Sequence, residues 1–291
     1  MKPVAFNYAR PASVEEACAL LAADEGARVM AGGQTLIPML AMRLARPTLL
    51  IDIARITELS GIRLEGDRVV IGAATRQAVA ERDAVVAGKL PMLAKVLPWV
   101  GHAPTRSRGT IGGSIANGDP AAEIALVAVT LDATIEVQEG EESSEIPAGE
   151  LYIGPMITTV PSSGIIMQIR FPVWSMGRIG TGFHEVSARR SDFAVVSSAA
   201  QVALDADGRC LAIAVGVGGA CDMPVRLEGL AEALIGGRLE EQRVREAVAA
   251  AAEALETVDD LHASAIYRKR VAATLARRAI LGARDEAVGG R

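Results

Sequence analysis

Two pairs of adjacent glycines, each closing one apolar run and opening another, limit what this chain can become. The first lies in residues 28–40, RVMAGGQTLIPML, and the second in residues 108–123, RGTIGGSIANGDPAAE. Glycine has no Cβ, so these backbones can take positive φ and approach a ligand closely. Successive N–H groups turned into one concavity hold an anion without a cationic side chain. In the second stretch Asp119 followed by Pro120 reads as an N-cap with Pro at the first helical position, and Glu123 falls in the first turn. A helix N-terminus then adds to the anion cradle. One such pair alone fits a tight turn before a core helix better than an anion cradle. Two of them, roughly eighty residues apart, suit the two halves of one pyrophosphate.

Composition narrows the field. Half of the 291 residues are hydrophobic, enough for a large core and two domains. Aromatic residues are 3%, so that core is aliphatic. No run of about eighteen apolar residues is present, which predicts no membrane span. The start, MKPVAFNYARPAS, lacks a secretory apolar region, and the expected location is cytoplasmic. Three scattered cysteines, Cys18, Cys210 and Cys221, predict neither a disulfide framework nor a bound iron–sulfur cluster. The net charge of −5 repels nucleic acid, and a bound pyrophosphate has to be held by local N–H groups.

Taken in order, a capping box at Ser13 and Glu16 starts a helix. Strands are expected at residues 28–31 and 48–53, with a helix at 36–44 between them: a β-α-β-α-β unit of about 55 residues. A second unit opens near Ile56 with a hairpin turning at residues 65–67, then a helix capped by Thr75. Residues 89–100 read as an apolar helix, 133–139 and 164–172 as strands, and the acidic 139–145 as a solvated turn. Glycine and serine cluster at 173–182, marking a boundary. Beyond it come two strands, 198–204 and 210–217, then helices at 223–236, 239–255 and 264–281, with the end from Gly282 frayed.

The paired motifs AGGQTLIPML and RGTIGGSIANGDPAAE resemble the two flavin-pyrophosphate loops of the FAD-binding subunit of molybdenum hydroxylases. That family includes the medium chain of aerobic carbon monoxide dehydrogenase and the FAD domain of xanthine dehydrogenase. Residues 182–195, GFHEVSARRSDFAV, resemble the signature that opens the family's C-terminal domain. The lead-in GHAPTRS departs from the family's GHxQIRN at Pro104, Thr105 and Ser107. The resemblance implies an α+β fold: a two-subdomain FAD-binding domain of the p-cresol methylhydroxylase and vanillyl-alcohol oxidase type, plus a small C-terminal α+β domain of antiparallel sheet and helices. The implied division is 1–175, with subdomains of about 1–55 and 56–175, and 176–291.

What the resemblance implies for function is an FAD-carrying electron-transfer subunit of a multi-subunit oxidoreductase. FAD would be held non-covalently. Its partners would be a small subunit with [2Fe–2S] clusters and a large subunit with molybdopterin, assembled as a dimer of heterotrimers. In the first cradle Ala31, Gly32, Gly33, Gln34 and Thr35 would hold the pyrophosphate, and in the second Thr110, Gly112, Gly113 and Ser114. Asn117 and Glu123 match ribityl- and ring-side positions; Glu123 reads equally as a first-turn glutamate that stabilises the helix dipole. Ile166 would pack near the ring. His184 falls where relatives place a lysine near the flavin, and it reads equally as a surface histidine. No catalytic nucleophile–base set and no metal-ligand spacing stand out, as expected where the cofactor does the chemistry. A self-sufficient flavin oxidase of the same superfold and a flavin-less scaffold subunit are the alternative readings.

Overall fold

The computed structural model describes residues 2–289. It opens with β1 (Asn7–Ala9), α1 (Val14–Ala23), β2 (Arg28–Met30), α2 (Leu36–Ala41) and β3 (Leu49–Asp52). The Ser13 half of the predicted capping box forms, Ser13 Oγ accepting from the Glu16 N–H at 3.2 Å, while the Glu16 carboxylate accepts at 2.7 Å from the N–H of Ala12, one residue before the cap, instead of from Ser13. Val14, Ala17, Cys18 and Leu21 then form the buried stripe of α1. The three strands make a parallel sheet in the order β1-β3-β2.

The second unit contains β4 (Ile62–Glu65), β5 (Arg68–Gly72), α3 (Gln77–Ala80), α4 (Ala84–Lys89), α5 (Pro91–Val96), α6 (Ala103–Arg108), α7 (Ile111–Asn117) and α8 (Glu123–Thr130). There follow β6 (Thr134–Glu139), β7 (Glu142–Pro147), α9 (Ala148–Leu151), β8 (Tyr152–Gly154), β9 (Ile157–Thr158) and β10 (Ile165–Pro172). The sheet order β4-β5-β10-β6-β7 shows β10 returning to the centre, antiparallel to both β5 and β6. α8 is buried along its whole length, so its side chains serve a core on every side rather than on one stripe.

Several local expectations change. The acidic turn at 139–145 becomes a hairpin whose second strand, β7, is an exposed edge; charges there discourage further pairing. Thr75 does not cap α3: its Oγ1 exchanges hydrogen bonds with the N–H and carbonyl of Gly61. The 89–100 stretch is broken at Leu90 and ends in a 3₁₀ turn at Pro98.

The C-terminal part contains β11 (Arg178–Ser187), β12 (Ala194–Leu204), β13 (Cys210–Gly218), β14 (Val225–Arg226), α10 (Leu230–Leu234), α11 (Glu241–Glu253) and α12 (Ala265–Gly289). Its four strands are antiparallel in chain order. The residues from Gly282 belong to α12 rather than to a frayed end, because Ala283 and Ala287 are buried against the sheet; Gly290 and Arg291 lie outside the described residues. The two faces of this sheet differ. A Cβ on Gly180 or Gly182 would collide with the Ala283 and Ala279 carbonyls of α12. On the opposite face Phe183 and Ala199 join the core of the second unit. A Cβ on Gly216 there would collide with Thr130 at the end of α8.

Arg268 ties α12 down. It is 3% exposed, donates to the carbonyls of Val195 (2.6 Å) and Gly219 (2.5 Å), and pairs with Asp260 at 2.5 Å. Removing it strands two buried carbonyls. Arg268→Met is expected to lower unfolding free energy by about 3 kcal/mol, read from the midpoint of urea unfolding at constant slope.

Candidate functional site

The two glycine segments meet. A Cβ on Gly32 would collide with the carbonyl oxygen of Arg108 and lie 2.7 Å from Gly109 Cα; one on Gly113 would stand 3.7 Å from Ala31 Cβ. They converge because β2 delivers the first segment and an isolated bridge between Arg76 and Thr110 positions the second. Their roles then diverge. In the second segment Gly112 and Gly113 do not take positive φ: both lie in α7, behind a Thr110 N-cap whose Oγ1 accepts from Gly113. Their amides are already committed. Ile111 donates to Thr75 O (3.0 Å), Gly112 to Ala73 O (2.9 Å), and Ser114 to Thr110 O (3.2 Å). Gly112 is required by packing, since a Cβ would lie 2.7 Å from Ala73 Cα. Asp119 also differs from expectation. It accepts from Ala121 N–H (2.9 Å) one turn before α8, which begins at Glu123 itself.

The first segment holds the free donors. Among the described residues, the N–H groups of Ala31, Gly32, Gly33, Gln34 and Thr35 donate to no acceptor. Gly33 carries φ +69°, which only glycine adopts readily. Ala31, Gly32, Gly33 and Gln34 line a cavity of about 480 Å³ shared with Ile37, Asp52, Arg55, Arg76 and Arg108, and Thr35 stands outside its lining. Burial, and then the charge of Arg108, lower the pKa of Arg76. Arg76 also donates to the Arg108 carbonyl, fastening the second segment beside the first. Free amides, converging guanidinium groups and a glycine that admits close backbone approach are the donor set a pyrophosphate requires.

The remaining expected residues lie apart from this cavity. Asn117 ends α7, with its amide against Met156 Sδ at 3.8 Å. Ile166 is 6% exposed, in the core beneath β10. His184 shares the face of β11 that carries Gly180 and Gly182, toward α12; burial, then the charges of Arg278 and Lys95, lower its pKa. Its neighbour Glu185 points the other way. There Glu123, 9% exposed, is pushed up to about 8 by burial, with smaller contributions from Glu185 and Asp119. Burial also raises Glu185, to about 7, and both its carboxylate oxygens are buried with no hydrogen bond among the described residues.

Residues 4–174 match the family model for the FAD binding domain in molybdopterin dehydrogenase, and residues 181–283 that for the CO dehydrogenase flavoprotein C-terminal domain. The nicotine 6-hydroxylase medium subunit of Paenarthrobacter nicotinovorans is 37% identical over 97% of this chain and 99% of its own. The carbon monoxide dehydrogenase medium chain of Afipia carboxidovorans is 33% identical, covering 99% of both. The solved quinoline 2-oxidoreductase from Pseudomonas putida 86 superposes with a TM-score of 0.93 at 32% identity, over 99% of each chain. The chain belongs to the FAD-binding subunits of the molybdenum hydroxylases.

For a subunit of this family the resemblance seen in the motifs holds along the whole chain. What reading the motifs did not find is the set Asp52, Arg55, Arg76 and Arg108. Only Arg108 carried a signal, standing directly before GTIGG. The others come from β3, the turn after it and the lead-in to α3, and nothing in their local sequence sets them apart from surface residues.

Two outcomes are expected. Gly32→Ala, forced against Arg108, weakens FAD retention at least about tenfold, measured as flavin released per chain, while circular dichroism stays unchanged. A carboxyl held protonated in the fold stabilises it fully below the unfolded pKa and loses that contribution as pH rises through the folded one. Stability of the flavin-free chain therefore falls between pH 4.5 and about 8. Glu123→Gln flattens that slope in urea titrations across the range.

Proposed function

We propose that this chain is the electron-transfer subunit of its complex. It takes electrons from [2Fe–2S] clusters of a small partner subunit and passes them to an external acceptor, while a large subunit with molybdopterin oxidises the substrate. FAD, when bound, accepts electrons singly and releases them in pairs. The observation that carries the reading is the row of free amides at Ala31, Gly32, Gly33 and Gln34 that shares one cavity with Arg55, Arg76 and Arg108. These groups hold the pyrophosphate. Thr110, Gly112, Gly113 and Ser114 act indirectly, by seating the start of α7 beside the first segment. Asn117, at the end of α7, and Glu123, at the start of α8, take the ribityl and ring side. The assembly is a dimer of heterotrimers in the cytoplasm, and the domain division falls at 175/176. Cys18, Cys210 and Cys221 are buried, and among the described residues no group of three or more His, Cys, Asp or Glu is placed to hold a metal ion. Among the described residues no helix is long and apolar enough to cross a membrane.

The test is the visible spectrum of the purified chain before and after acid precipitation, followed by copurification. FAD in the supernatant, with iron–sulfur and molybdenum subunits retained on a tagged chain, is the expected result. Flavin left in the pellet means a covalent link and the oxidase alternative. A colourless chain that refuses added FAD, alone and in the assembled complex, overturns the reading in favour of a scaffold.

A further inference from the structure

One group in the glycine-lined cavity has the wrong sign for an anion site. Arg55, Arg76 and Arg108 line it with the free amides of Ala31, Gly32, Gly33 and Gln34, and Asp52 stands among them. A carboxylate repels a pyrophosphate, so phosphate binding does not account for it. The sheet sets its place. Asp52 ends β3 and is the ladder partner of Met30 on β2, and the Ile53 N–H donates to the Met30 carbonyl at 3.1 Å. Met30 directly precedes Ala31. Asp52 therefore enters the cavity beside the start of the amide row, one strand spacing, about 4.8 Å, across the sheet. Its side chain is held and still has capacity. Oδ1 accepts from the Ala54 N–H at 3.0 Å and Oδ2 from the Tyr8 hydroxyl at 2.6 Å. A carboxylate offers about four acceptor positions, so roughly half remain for a ligand.

We propose that Asp52 accepts hydrogen bonds from the ribose hydroxyls of the adenosine half of FAD, which makes this cavity a nucleoside diphosphate site and rests on the flavin reading of the chain. The cavity's groups divide the ligand between them. The amides with Arg76 and Arg108 take the pyrophosphate, and Asp52 takes the ribose. Three arginines against one aspartate leave the surplus of positive charge that a pyrophosphate diester needs. Inorganic pyrophosphate leaves Asp52 facing only repulsion, and a nucleoside without phosphates leaves the amides and arginines unmatched. A hydroxyl-bearing sugar joined to a diphosphate matches both. Open parallel sheets that bind dinucleotides use the same division: a glycine turn after one strand holds the pyrophosphate, and an acid further along the chain holds the ribose. The adenosine then lies at the β3 end, and the flavin lies toward α7 and α8.

The test compares ADP with 2′,3′-dideoxy-ADP by calorimetric titration of the flavin-free full chain, alone and in its complex, with FAD uptake measured on the same preparation. The dideoxy compound keeps the diphosphate and the base and lacks both hydroxyls. It is expected to bind at least about tenfold more weakly than ADP. In Asp52→Ala that preference falls to about unity, because the acceptor is gone. A merely structural aspartate instead weakens both nucleotides alike and keeps the preference, which overturns the proposal. Equal binding of the two by the unaltered chain overturns it as well, and decides the matter even if Asp52→Ala fails to fold. A chain that takes up FAD but binds neither nucleotide, or both equally, loses this proposal and keeps the flavin reading. One that prefers ADP but refuses FAD keeps the nucleoside diphosphate site and loses the flavin reading. Refusal of ADP and FAD together overturns both.

Discussion

Everything at the candidate site depends on backbone approaching backbone without side chains between. Gly32 stands against the Arg108 carbonyl and Gly109, and Gly112 stands against Ala73. The first contact joins the parallel sheet to the second unit; the second seats α7 on the strand end after β5. Both need the missing Cβ, because a methyl group would overlap main-chain atoms, which cannot rotate aside as a flexible side chain can. With those two contacts in place, the amides of Ala31–Thr35 are left facing solvent instead of a protein acceptor. Such amides persist only where water or a ligand satisfies them.

The same economy of small residues governs how the C-terminal part seats itself. One sheet face presents Gly180 and Gly182 to α12; the other presents Ala199 and Gly216 to the second unit, where α8 ends at Thr130. The exposed edge of β11 is closed by side chains from both sides. Lys95 of α5 donates to the Thr181 carbonyl, and Glu286 of α12 accepts from the Thr181 N–H at 2.8 Å. An edge so covered offers no template for pairing with another chain. The carboxyl groups of Glu123 and Glu185 sit within this junction, so the two parts of the chain are coupled through groups whose charge varies near neutral pH.

The division of labour between the glycine motifs shows where reading a sequence stops. Both motifs look like anion cradles, and as motifs they are alike. In the structure one donates and the other supports. Thr110 caps α7 and consumes the Gly113 amide, while Ala73 consumes that of Gly112. No local pattern announces that Ala73, far back in the chain, supplies an acceptor there. His184 is a similar case. Its position in the motif was legible, but whether it turns toward α12 or toward α8 depends on strand register. A shift of one residue reverses every side chain on a strand, and register is set by the β11–β12 pairing.

The amino-acid sequence by itself determined the elements that rest on nearby residues: the Ser13 cap of α1, the alternating strands, the turns, the glycine pairs and hence the family. These depend on interactions a few residues long, which leave periodic or motif-like traces. Only the tertiary structure decided which amides remain free, that Arg55, Arg76 and Arg108 converge on them, and which face of β11 meets the second unit. Those outcomes depend on contacts between residues tens to more than a hundred positions apart. A single arginine or a single strand face carries no local mark of the partner that folding will bring to it.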